Sequence, residues 1–169
     1  MLTRRDLLLL ASALCLSLPL GIGIGRSSLV ALAHAESAGA QPKVQDSTLF
    51  DWNELAPNPT GVGQYRGVMK AKTATLDELE MHVTTLNPGQ ISHPPHKHPN
   101  EELVIIDSGK IEATSNGKTR VLGPGSVIFN ASNQLHGVKN VGDTPATYHV
   151  INWHTPATDV QARAAEAKR

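Results

Sequence analysis

Cysteine is almost missing from this chain of 169 residues: Cys15 is the only one, and it lies in an apolar stretch near the N-terminus. That excludes an intrachain disulfide framework, a cysteine-based zinc site and a cysteine nucleophile in the body of the protein. Net charge is missing too. Fifteen Lys+Arg stand against fifteen Asp+Glu, so there is no basic footprint of a nucleic-acid-binding protein and no nucleic-acid partner is expected. Aromatic residues make up 4% of the chain; sugars are commonly held on exposed aromatic faces, so this scarcity tilts toward a small or apolar ligand. The composition, 40% hydrophobic and 18% charged, still suits a folded globular chain. Histidine is the residue in excess. There are eight, several of them clustered.

The chain opens MLTRRDLLLLASALCLSLPLGIGIG, with Arg4 and Arg5 ahead of an apolar run from Leu7 to about Gly25, and Ala33-His34-Ala35 follows. A positive start, an apolar middle and an Ala-x-Ala end are the three parts of a secretory signal. The paired arginines after Thr3 resemble a twin-arginine export signal. Residues 1–35 are therefore expected to be a cleaved leader and the protein to be periplasmic or secreted. Left uncleaved, the run of roughly 19 residues could just span a bilayer and anchor the chain, but Pro19 and the glycines weaken that alternative. No stable membrane span is expected after cleavage. Leu14 also stands before Cys15 where a lipoprotein signal needs a small residue. Cleavage would remove Arg4, Arg5, Arg26 and Asp6, leaving 12 cationic and 14 acidic side chains, a net charge of −2, over 134 residues.

Residues 36–47 (ESAGAQPKVQDS) are small and polar and read as a flexible lead-in. Short β-prone runs cut by turn residues fill the following domain, residues 48–157. The expected strands are Gln64–Lys70, Glu80–Leu86, Leu103–Ile106, Ile111–Thr114, Thr119–Leu122, Ser126–Asn130, Gly137–Val141 and Thr147–Trp153. Asn116-Gly117 between two such runs is the strongest hairpin signal, because both central positions of that turn need positive φ. Closely spaced strands with no long helical pattern between them give an all-β fold, a sandwich or barrel. Asp159–Lys168 is Ala-rich and reads as a helix within a tail of residues 158–169. No internal repeat appears, so one barrel per chain is expected.

The chemistry is concentrated in Gly89-Gln-Ile-Ser-His93-Pro-Pro-His96-Lys-His98-Pro-Asn-Glu101-Glu102. Side chains alternate along an extended segment, so His96 and His98 share a face, and Glu102 has the parity of His98. A second stretch, Gly125 to Asn140, adds His136 behind a short strand and loop. Mixed imidazole and carboxylate ligands with open positions suit Mn, Fe, Ni, Co or Zn. Glu101 has the opposite parity and reads as solvated. His93 is a candidate for the rim. His82 and His149 fall within expected strands and read as ordinary wall histidines, and Asn140 as a residue that ties a turn.

These stretches resemble the two motifs of the cupin superfamily. Gly89, His96, His98, Glu102 and Gly109 occupy every fixed position of the first. Gly125, His136 and Asn140 occupy three of the second, with Ala131 where that motif has proline and Asn133 where it has glycine. The departures concern the turn and leave the ligand in place, and Asn tolerates positive φ. The resemblance covers roughly residues 60–155. It implies a single jelly-roll-like β-barrel that holds one divalent metal per chain by His96, His98, Glu102 and His136. Mn or Fe is favoured, with Zn, Ni and Co as alternatives. It also implies a small-molecule substrate or ligand and a homodimer. Cupins serve many activities, so the fold does not fix the reaction. A metal-dependent oxygenase or decarboxylase-like enzyme, with Glu102 doubling as a base, is the leading expectation. The alternatives are a non-catalytic ligand-binding cupin and a metal-dependent sugar isomerase or epimerase.

Overall fold

The computed structural model describes residues 43–168. The expected leader, residues 1–35, and the first part of the lead-in lie outside them. Among the described residues no helix is long and apolar enough to cross a membrane.

Among the described residues a 3-10 turn (Trp52–Glu54) precedes nine strands and a C-terminal helix. The strands are β1 (Asn58–Thr60), β2 (Gly63–Ala71), β3 (Glu78–Leu86), β4 (Glu101–Ser108), β5 (Ile111–Ser115), β6 (Lys118–Leu122), β7 (Val127–Asn130), β8 (His136–Asn140) and β9 (Ala146–His154). The helix is α1 (Pro156–Glu166). All pairings are antiparallel. Six strands form one sheet in the order β1-β2-β3-β9-β4-β7, and three form a second in the order β6-β5-β8. This is a single cupin-like β-barrel, and all eight strands expected from the sequence are in it.

Alternation explains why these segments become strands. In β9, Ala146, Tyr148 and Val150 are buried while the residues between them are not. Leu86, Val104, Ile106, Ile111, Ala113 and Ile128 complete the cluster between the sheets. Deleting most of one such side chain costs roughly 2–5 kcal/mol, because the packed surroundings only partly collapse. The hairpin turn expected at Asn116-Gly117 forms with φ of 46° and 75°. It joins β5 and β6 with Ser115 opposite Lys118.

Two elements depart from expectation. β1 was not foreseen: its residues are exposed and include Pro59, and it exists only because Asn58–Thr60 pair with β2 at the sheet edge, where proline is tolerated. The helix begins three residues before Asp159. Pro156 occupies its first turn, and the Thr155 amide donates to Thr158 Oγ1 at 2.9 Å. Both features start helices, since proline is preset for the first turn and the Thr158 hydroxyl satisfies a free amide.

Candidate metal centre

The segment before β4 is irregular, so the strand alternation invoked for His96 and His98 does not itself place them. Cross-chain backbone bonds do. His96 and His136 exchange two amide-to-carbonyl bonds of 3.0 Å, and the Asn133 amide donates to the His98 carbonyl at 2.8 Å. Asn133, where the related motif carries glycine, takes φ of 59° to make that turn. The bridge also runs Pro95 against Gly137, where an added Cβ would lie 3.3 Å from the proline. A Cβ at 137 would therefore require Pro95, next to His96 in the chain, to give by a few tenths of an ångström.

The result is a tight imidazole cluster. Ligand atoms of His96, His98 and His136 lie within 4.8 Å of one another. Glu102, the second residue of β4, approaches from one side: its carboxylate is 3.6 Å from His98 Nε2 and 3.7 Å from His136 Nε2. All four residues singled out from the sequence are thus neighbours. The three histidines could hold a metal ion.

The surroundings fix how these groups present themselves. His98 Nδ1 pairs with the Asn100 carbonyl at 3.0 Å and His136 Nδ1 with the Gln134 carbonyl at 2.8 Å. Each Nδ1 therefore carries the proton, leaving the Nε2 lone pair free for the centre, the usual arrangement behind a metal-ligating imidazole. His136 Nε2 is buried without a hydrogen-bond partner. A buried polar atom left so is costly, and a cation at the centre would satisfy it. Glu102 Oε1 accepts from the Asn130 amide at 2.9 Å, and Asn130 Oδ1 accepts from the Ser115 hydroxyl at 2.8 Å. Asn130 is 2% exposed. Sequence reasoning missed it; its register partner in β4 is Glu102 itself.

Electrostatics follow from burial and crowding. Burial, then the neighbouring imidazoles of His93, His136 and His98, hold His96 below the ordinary histidine range. Contact with Glu102 pushes His98 up. Burial acts to raise Glu102, but His98 and the Asn130 amide outweigh it and hold the carboxyl below its usual range. The site thus offers a neutral imidazole and a carboxylate, as divalent cations require.

His93 stacks edge-on against His96, with ring centroids 4.3 Å apart, and is exposed at the rim. Asn140 ties its turn: its amide donates to the Leu86 and Thr144 carbonyls and its oxygen accepts from Gly142. A cavity of about 70 Å³ adjoins His96, Glu102 and His136, and His82 and Tyr148 also line it. A groove of about 700 Å³ opens beside His98, between residues 97–99, residues 132–134 and α1.

Comparison with known proteins bears on the fold. Residues 82–152 match the family model described as the cupin domain. An RmlC-like cupin from Shewanella frigidimarina superposes with a TM-score of 0.55 at 14% identity, covering 68% of this chain and 96% of that one. KdgF from Halomonas sp. gives 0.54 at 17% identity, covering 66% and 98%. A predicted oxalate decarboxylase from Thermotoga maritima gives 0.51 at 20% identity, covering 63% and 99%. At these identities the likeness carries the fold alone. No curated protein matches the chain. Residues 82–152 are thus similar to a cupin domain, and the described residues share the barrel fold of these cupin structures.

Proposed function

We propose that the chain is an exported metal protein in which His96, His98, Glu102 and His136 hold one divalent transition metal. It serves an oxygenase or decarboxylase-like reaction on a small molecule. The observation that carries this reading is the buried, unpartnered Nε2 of His136 facing two other imidazoles and a carboxylate. A bound metal would supply a Lewis acid and a template with open positions. The chain supplies the rest. Asn130 holds Glu102 by one oxygen and leaves the other facing His98. The cavity of about 70 Å³ adjoins the site and leaves room for a ligand group beside it. Export through a folded-protein route would load the metal in the cytoplasm. Metal availability there, rather than raw affinity, would then choose Mn or Fe over Zn or Cu.

Metal analysis of the purified protein tests this. About one transition metal per chain is expected, greatly reduced by His96→Ala or His136→Ala. Full occupancy in a His96→Ala/His98→Ala double variant refutes the ligand assignment. Zinc as the native metal would shift the reading toward an isomerase or a binding role. Oxygen-uptake screening against small organic acids then addresses the oxygenase reading.

A further inference from the structure

One wall residue of the cavity, His82, belongs to a second histidine–carboxylate arrangement that the metal cluster does not use. On β3, Glu80, His82, Thr84 and Leu86 share one face of the strand, and Leu86 at its far end is wholly buried in the core. Val150, buried and in register with His82, is also in register with the buried Val104. An apolar residue at position 82 would simply extend that core. Instead His82 Nδ1 lies 2.8 Å from Glu80 Oε1, and the other Glu80 oxygen accepts from the Asn152 amide at 2.7 Å. The side chains of His82 and Glu80 are only 20% and 14% exposed. The Tyr65 ring packs on the imidazole with centroids 4.9 Å apart.

This arrangement has two chemical consequences. The carboxylate fixes the neutral ring with its proton on Nδ1 and leaves Nε2 with a free lone pair. It also stabilises the cation that would form if Nε2 took up a proton. His82 lines the same cavity as His96, Glu102 and His136. A paired, half-buried imidazole and carboxylate cost desolvation that an apolar pair would not.

We infer that His82, oriented by Glu80, is the proton acceptor of this cavity, and that its ligand is a small acid with an ionisable O–H or C–H beside a metal-binding oxygen. The inference rests on the metal reading above and names the substrate class. The proton leaves the ligand's O–H or C–H for His82 Nε2, and the electron pair of the broken bond stays on the ligand as its anion. The new imidazolium is balanced by Glu80 through Nδ1–H. Glu80 and Asn152 are positioning residues, acting only through His82.

The test uses the purified protein loaded with Mn²⁺ and acetohydroxamic acid, a small chelator that gives up its hydroxyl proton as it binds. Calorimetry in two buffers of different ionisation enthalpy counts the protons released per ligand, near pH 8, where a free imidazole is neutral. His82→Gln keeps a hydrogen bond to Glu80 but cannot take the proton. It should release up to about one proton more per ligand than the wild type, and Glu80→Gln should move the count the same way. A structural role would alter stability without moving that count. Metal content of the same samples separates the two possible failures. A wild type that holds no metal overturns the metal reading and this inference with it. A metal-loaded wild type whose proton count equals that of both variants overturns this inference alone.

Discussion

Asn130 provides the sharpest test of whether Glu102 belongs to the metal centre. Replacing it with Ala removes the amide that donates to Glu102 Oε1 at 2.9 Å and deprives the Ser115 hydroxyl of its acceptor. The position is 2% exposed, so water cannot readily take the amide's place. A hydrogen bond to a charged group contributes roughly 1.5–3 kcal/mol, and that is the expected loss of stability in the metal-free protein. The metal should suffer as well. Removing a group that orients a ligand typically weakens metal binding by about 10–100-fold, because the freed carboxylate must be reordered each time the ion binds. Ser115→Ala breaks only the outer link and should cost less on both counts. Competition against a chromophoric chelator gives the affinity, and urea unfolding of chelator-treated protein gives the stability. A folded Asn130→Ala protein whose metal affinity stays within about twofold of wild type would refute the argument, because ligand orientation would then carry no weight.

Three further outcomes are expected. Gly109 and Gly117 both have positive φ, but an added Cβ at 109 would lie 2.5 Å from Ala146 Cα while at 117 it meets nothing. Gly117→Ala should therefore cost about 1–2 kcal/mol for the left-handed conformation alone. Gly109→Ala should cost on the order of 1–3 kcal/mol more, and equal midpoints in urea would contradict this. A homodimer is expected through the β7 edge, where Val127 and Phe129 are 57% and 53% exposed and an uncovered strand invites pairing. Light scattering should give twice the chain mass, falling to one chain mass for Phe129→Glu, and a monomeric wild type rejects the dimer. Replacing Arg4 and Arg5 with Lys should abolish export, as a twin-arginine signal requires. Normal export of that variant removes the argument for cytoplasmic metal loading.

The sequence exposes whatever is written in local spacing. Eight strands could be read because turn residues separate β-prone runs, most of which bury one face; β6, exposed over Lys118–Val121, is marked instead by the Asn116-Gly117 turn before it. The edge strand β1 could not, since Asn58-Pro59-Thr60 has no β pattern of its own and is a strand only by its pairing with β2. The helix start, by contrast, is written locally, in Thr155, Pro156 and Thr158. The same division runs through the site. His96, His98 and Glu102 lie within seven consecutive residues, so their spacing carries the chemistry of a metal centre. What orients and supplements them depends on partners far apart in the chain. Asn130 reaches Glu102 across 28 residues, and Asn152 reaches Glu80 across 72. Before β3 is placed between β2 and β9, nothing in the sequence separates His82, facing the cavity, from His149, which is in register with Val83 on the alternate face. Candidate ligands of a metal can thus be read from a motif. The groups that decide which protons move beside it are specified by strand register.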